Sequence, residues 1–215
     1  MEYLTQFKID DLSHDKSEFI FILESPHKQE VAMGFPAASE SGWWMSKAMF
    51  NIETPLGELV TNKSSSIPRI SILNCSRLPL QISCYNPLRL SEDFSEFLEI
   101  QEIKNGNIQV VKQKIKEKLR TKVGGQALKS FRFRLLKSIQ NNNNHSKIIV
   151  CGVIAQCFFE EATQLNGYIR VATNLQWEGC SFKIFYEYHP SPKSGQWQNP
   201  YNMRNLLDFM SCKRA

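Results

Sequence analysis

Short apolar runs that end abruptly in polar residues recur along the chain. Phe19 to Leu23 is uninterrupted and stops at Glu24-Ser25-Pro26-His27. Arg69 to Asn74 reads R-I-S-I-L-N, Lys147 to Gly152 reads K-I-I-V-C-G, and Ser181 to Tyr188 runs into His189-Pro190-Ser191-Pro192. Such runs predict four strands, buried on both faces where the apolar run is continuous. Between them, Trp44 and Ala48, and Met45 and Met49, recur at i, i+4 and predict a helix over Trp43 to Asn51. Further helices are expected over Val110 to Leu119, over Ala127 to Ile139 after an interruption at Gly124-Gly125, and over Val153 to Gln164. A last one ends at Met210, with Asn199 or Asn202 as its cap. Residues 1–18 read as a short helix or arm capping the sheet. The stretch after His27, with Gly34, Pro36 and Ser41-Gly42, reads as a loop, as do Thr61 to Ser66, the Pro79 to Pro87 segment and the Asn141 to Asn144 turn.

Buried strands separated by helical segments predict parallel βαβ units. The expected fold is α/β: a three-layer helix–sheet–helix sandwich around a central, mostly parallel four-stranded sheet. With 215 residues and 42% apolar content the chain suits one domain over 1–215, carrying a basic, mainly helical insert near 104–140. No apolar stretch is long enough to span a membrane, and the N-terminus lacks a basic-then-apolar leader, so a cytoplasmic, membrane-free protein is expected. Six cysteines occur with no C-x-x-C pair, and they read as structural thiols rather than metal ligands. The net charge is +5. From Lys112 to Lys137 there are ten Lys or Arg against one acid, Glu117. That is compatible with a polyanionic partner or with a solvated helix face. His14 and His145 lie in polar stretches and are expected in solvent.

Three strand ends carry the candidate chemistry: Glu24 to His27, Asn74, and His189 to Pro192. Parallel strands end at one edge of the sheet, where ligands bind in folds of this class. A carboxylate, an amide and an imidazole there suit one task. The amide reads a planar ring by paired hydrogen bonds, the imidazole stabilises charge on a leaving group, and the carboxylate orients water or a nearby cation. The chain has no P-loop and no G-x-S-x-G elbow, which disfavours a nucleotide hydrolase of another type.

Leu23-Glu24-Ser25-Pro26-His27, Gly34 to Gly42, Ile72-Leu73-Asn74 and His189-Pro190-Ser191-Pro192 together resemble the motifs of the uracil-DNA glycosylase superfamily. The first two resemble G-E-x-P-G and its continuation G-x-P-F-x-G-x-x-G, the third the L-L-N strand of another branch, and the fourth matches H-P-S-P intact. The resemblance spans roughly 19–210. It implies a DNA glycosylase that flips out a damaged or modified pyrimidine and hydrolyses its N-glycosidic bond. By this resemblance Glu24, Asn74 and His189 are catalytic. Ser25, Pro26, His27, Phe35, Ala37 and Trp43 surround the base. Ser41, Gly42 and Ser191 hold DNA phosphates, while Lys193, Gln196 or Trp197 presses on the base stack. Outside the resemblance, Arg77 is a candidate for phosphate contact. Arg204 is a further phosphate candidate.

The departures bear on substrate. Ser25 stands where one branch has its water-activating Asp, leaving that work to Glu24. Ala37 stands where a Phe stacks on uracil, so Phe35 or Trp43 takes its place or the pocket is larger. A larger pocket points to a base bulkier than uracil, such as glucosylated hydroxymethylcytosine of phage DNA, and so to a defence enzyme. No cysteine set for an iron–sulfur cluster is present, and neither cofactor nor metal is expected. The expected partner is DNA, met by a monomer. The competing class is a non-catalytic module that grips modified or single-stranded nucleic acid.

Overall fold

The computed structural model describes residues 2–103, 106–142 and 146–211. The four apolar runs are strands, and a fifth joins them. In chain order these are β1 (Phe19–Leu23), β2 (Ile70–Asn74), β3 (Lys147–Cys151), β4 (Thr173–Trp177) and β5 (Cys180–Glu187). They form one sheet in the order β2-β1-β3-β5-β4, parallel except for β4 at the edge. The sequence T-N-L-Q-W of β4 alternates polar and apolar positions, because this edge strand is covered on one face only. Its hairpin to β5 turns on Glu178-Gly179, both at positive φ (49° and 75°), the backbone that a two-residue hairpin requires.

The helices, α1 (Glu2–Thr5), α2 (Lys28–Met33), α3 (Glu40–Phe50), α4 (Leu56–Thr61), α5 (Glu92–Leu98), α6 (Ile108–Leu119), α7 (Lys122–Gln140), α8 (Val153–Thr163) and α9 (Pro200–Ser211), pack on both faces of the sheet. Alternation along each buried strand sorts the core into two layers. Ile20, Ile22, Ile148, Val150 and Ile184 meet α5 to α8 on one face. Phe21, Leu23, Ile72, Ile149 and Phe185 meet α3, α4 and α9 on the other. The sandwich is therefore three layers deep, around five strands instead of the expected four.

Several boundaries differ for identifiable reasons. The stretch read as a loop after His27 holds α2, and α3 begins at Glu40, so Ser41 and Gly42 are helical. Gly124-Gly125 does not interrupt a helix. Both lie in the first turn of α7, which Thr121 caps through its hydroxyl. A Cβ on Gly124 would stand 2.1 Å from the Lys118 carbonyl, so this glycine lets α6 and α7 approach. Asn199 does cap α9, accepting the Tyr201 N–H at 3.0 Å. The N-terminal arm adds a bridge from Leu12 to Ile72 beside β2. His14, expected in solvent, is half-buried, with Nε2 3.2 Å from the Val60 carbonyl. His145 and Cys212 lie outside the described residues. Cys75 and Cys151 are buried free thiols whose pKa burial raises well above the ordinary value.

Strand order positions the site. The chain leaves β1 for β2 on one side and returns to β3 on the other. The helices between β1 and β2 cover one face of the sheet, and α8, which follows β3, covers the opposite face. A crevice consequently opens between the carboxyl ends of β1 and β3.

Candidate active site

Glu24 follows β1 and His189 follows β5 by two residues, and the crevice brings them together. His189 Nε2 lies 3.7 Å from Glu24 Oε2. His189 Nδ1 accepts the Ser191 N–H at 3.1 Å, which places the ring proton of the neutral imidazole on Nε2, facing Glu24. Gly152, after β3, makes room for both. Its φ is +95°, and a Cβ there would fall 2.3 Å from Glu24 Oε1 and 3.2 Å from His189 Cβ. No larger residue satisfies that backbone and that contact at once.

Two buried carboxylates fasten the loops that carry these groups. Glu30, on α2, accepts the His27 N–H at 2.6 Å and the Ala37 N–H as well, pinning the turn after β1 to the loop before α3. Burial pushes its carboxyl up to about 7, against the lowering effect of those backbone bonds. Glu187, at the end of β5, is 0% exposed. It accepts from the Tyr188 N–H at 2.8 Å and from Arg170 Nε at 3.2 Å. Arg170 also reaches Gln196 at 3.2 Å and Asn202 at 3.4 Å, and lies over the Tyr188 ring. Burial raises the Glu187 carboxyl too.

Around Glu24 and His189 lies a cleft of about 1480 Å³. One wall is the loop Ser191 to Ser194, with Lys193 exposed at its rim. His27 stands at the opening as the N-cap of α2. Its pKa is lowered by the protein packed around its ring, then by the charges of His189 and Lys193. The far wall is α6 with the Asn166 to Ile169 segment. Gln101 and Gln156, both buried, add amides to the lining, and Gln101 Nε2 has no hydrogen-bond partner among the described residues.

The basic run therefore flanks the cleft, but most of its charge is already used. Lys112 and Lys116 bind Glu160 at 2.6 and 2.9 Å, Lys118 binds Glu99 at 2.7 Å, and Arg134 binds Asp11 at 2.7 Å. Arg120, Lys122 and Arg132 also have acidic partners. The missing acids of the run come from α5 and the residue after it, α8, the β4–β5 turn and the N-terminal arm, all distant in the chain.

Of the residues expected at the site, Glu24, Ser25, His27, His189, Ser191 and Lys193 line the cleft together. Others do not. Asn74 is 2% exposed and lies behind the crevice, where its backbone bonds Asp11 and Arg134. Ala37 is 1% exposed, at a positive φ of 53° in the loop that Glu30 holds, and Pro26 is buried beside Ser25. Phe35 and Trp43 are half-buried away from the cleft, Trp43 edge-to-face on Trp44. Gly42 packs on the Ala37 carbonyl, where a Cβ would clash at 1.8 Å, and Ser41 is half-buried on α3 outside the lining.

Three further residues expected on DNA serve the fold instead. Trp197 is 2% exposed, and its indole N–H donates to the Tyr188 carbonyl at 2.9 Å. Gln196 holds Arg170 and Asn202. Arg77 pairs with Asp10 and lines a different cavity. Arg204 is exposed on α9. No family model matches the chain, and neither does any curated protein.

Gly152, Glu30, Arg170 and the cleft amides were not singled out from sequence. Only Gly152 had a signal there, a glycine between an apolar run and a helix.

Proposed function

We propose that the protein is a DNA glycosylase that hydrolyses the N-glycosidic bond of a flipped-out, modified pyrimidine. The observation that carries this reading is the pair formed by Glu24 Oε2 and the protonated Nε2 of His189, 3.7 Å apart in a cleft at the carboxyl edge of the sheet. Glu24 orients a water toward the sugar C1′ and accepts its proton. The bond from C1′ to the base breaks, and the base leaves with the electron pair. The His189 N–H hydrogen-bonds the negative charge gathering on the base. Lys193 and the Ser191 to Ser194 turn hold the neighbouring backbone phosphates.

Ring recognition falls to the cleft amides, because Asn74 is out of reach. The open cleft of about 1480 Å³ has room for a base with a bulky substituent beside the DNA backbone. The support for bulk is thus the cleft itself and not the residue at position 37.

The test is release of free base, and formation of alkali-labile sites, from single- and double-stranded DNA carrying uracil or glucosylated hydroxymethylcytosine. Release from the bulky base is expected, falling by at least about a hundredfold in His189→Ala and in Glu24→Gln with DNA binding largely kept. Release of uracil alone removes the bulky substrate. Tight binding of modified DNA with no base released by the wild type makes the protein a binding module instead.

A further inference from the structure

A second cavity, of about 420 Å³, lies between α1, α5, α7 and the residues following β2. Leu4, Leu78, Phe94, Phe97, Val123 and Ala127 give it an apolar body. Its polar margin has one sign: Lys8, Arg77 and Arg134 line it, and among the described residues no carboxylate does. Arg77 is paired with Asp10, and Arg134 with Asp11. Three cations against two carboxylates leave one positive charge.

Arg134 is also incompletely satisfied. Its terminal nitrogens hold Asp11 and the carbonyls of Asn74 and Cys75, at 2.9 and 3.0 Å for the carbonyls. Its Nε is buried without a partner among the described residues. Arg77, for its part, is held below its ordinary pKa, first by burial and then by the charge of Arg134. An apolar chamber whose margin carries one unbalanced positive charge is complementary to a monoanion with a hydrocarbon body.

We propose that this cavity binds a small amphipathic monocarboxylate. Its tail lies against Phe94 and Phe97, and its carboxylate lies beside Lys8 and Arg77. The site is independent of the cleft chemistry, so its fate does not depend on base excision. It is nevertheless joined to Glu24 through backbone: the Cys75 and Ser76 N–H groups donate to the Leu23 and Glu24 carbonyls at 2.8 and 3.1 Å.

Calorimetric titration of the full chain with decanoate, decanol and decyltrimethylammonium tests the proposal. One saturable decanoate site is expected, with decanol at least about tenfold weaker and the cation not bound. Ala127→Trp, which fills the chamber, is expected to abolish binding while keeping a cooperative thermal transition. Lys8→Glu, on the exposed rim, changes no core contact and is expected to weaken decanoate severalfold. Failure of decanoate to saturate, equal binding of decanol, or unchanged affinity in Lys8→Glu overturns the proposal.

Discussion

Gly152 shows how one residue sets the geometry of the site. Its positive φ and the 2.3 Å approach of any Cβ to Glu24 Oε1 mean that Gly152→Ala must displace the carboxylate or strain the backbone. Stability is expected to fall by on the order of 1–3 kcal/mol in urea unfolding, with base release falling further than stability accounts for. Glu30 answers to pH instead. Its folded pKa of about 7 lies above the ordinary 4.5. The contribution of Glu30 to stability is therefore full below about 4.5 and lost as pH rises through about 7. Over that window the wild type should lose on the order of 3 kcal/mol more than Glu30→Gln, read from unfolding curves at a series of pH values. Equal pH slopes in the two proteins would remove Glu30 from this account.

At the scale of elements, α6 is the instructive case. Its spacing of Val111, Ile115 and Leu119 makes one buried stripe, and its lysines project from the rest. Those lysines looked free in sequence because their acids lie far away in the chain. Lys118 bridges to Glu96 and Glu99 on and just after α5, and Lys112 and Lys116 converge on Glu160 of α8. Ion-paired cations release fewer counterions on meeting DNA, so the salt dependence of binding should rest on others. Lys193→Ala is expected to reduce the slope of log affinity against log salt by about 1, and Lys118→Ala to leave it unchanged. An altered slope for Lys118 would mean that its acidic partners release it to phosphate.

At the scale of the whole molecule, the two core layers meet the cleft through the loop after β5. Trp197 packs with Phe185, Met203 and Leu206 on one face of the sheet, while its indole N–H holds the Tyr188 carbonyl. The loop carrying His189 is thus anchored from below by the core and from the side by Arg170. Trp197→Ala should cost about 3–5 kcal/mol in urea unfolding, as expected for removing a buried aromatic body. A loss below 1 kcal/mol would mean that the loop is held by the polar cluster of Glu187, Arg170 and Gln196 alone.

The apolar pattern was enough to find β1, β2, β3 and β5, because such runs have no stable place except a sheet covered on both sides. It also brought Glu24 and His189 together, because a carboxylate and an imidazole closing parallel runs of this kind emerge at the same sheet edge. It missed α2, α4, α5 and β4, whose segments are short or half-exposed and carry little periodicity. Tertiary structure alone decided which polar residues face the cleft. Asn74, Ala37 and Trp197 have local patterns compatible with a site, yet the packing of α3, α7 and α9 turns each of them into the interior. The same holds for charge: whether a lysine is free to meet a phosphate depends on carboxylates brought to it from distant segments, and that pairing exists only once the chain has folded.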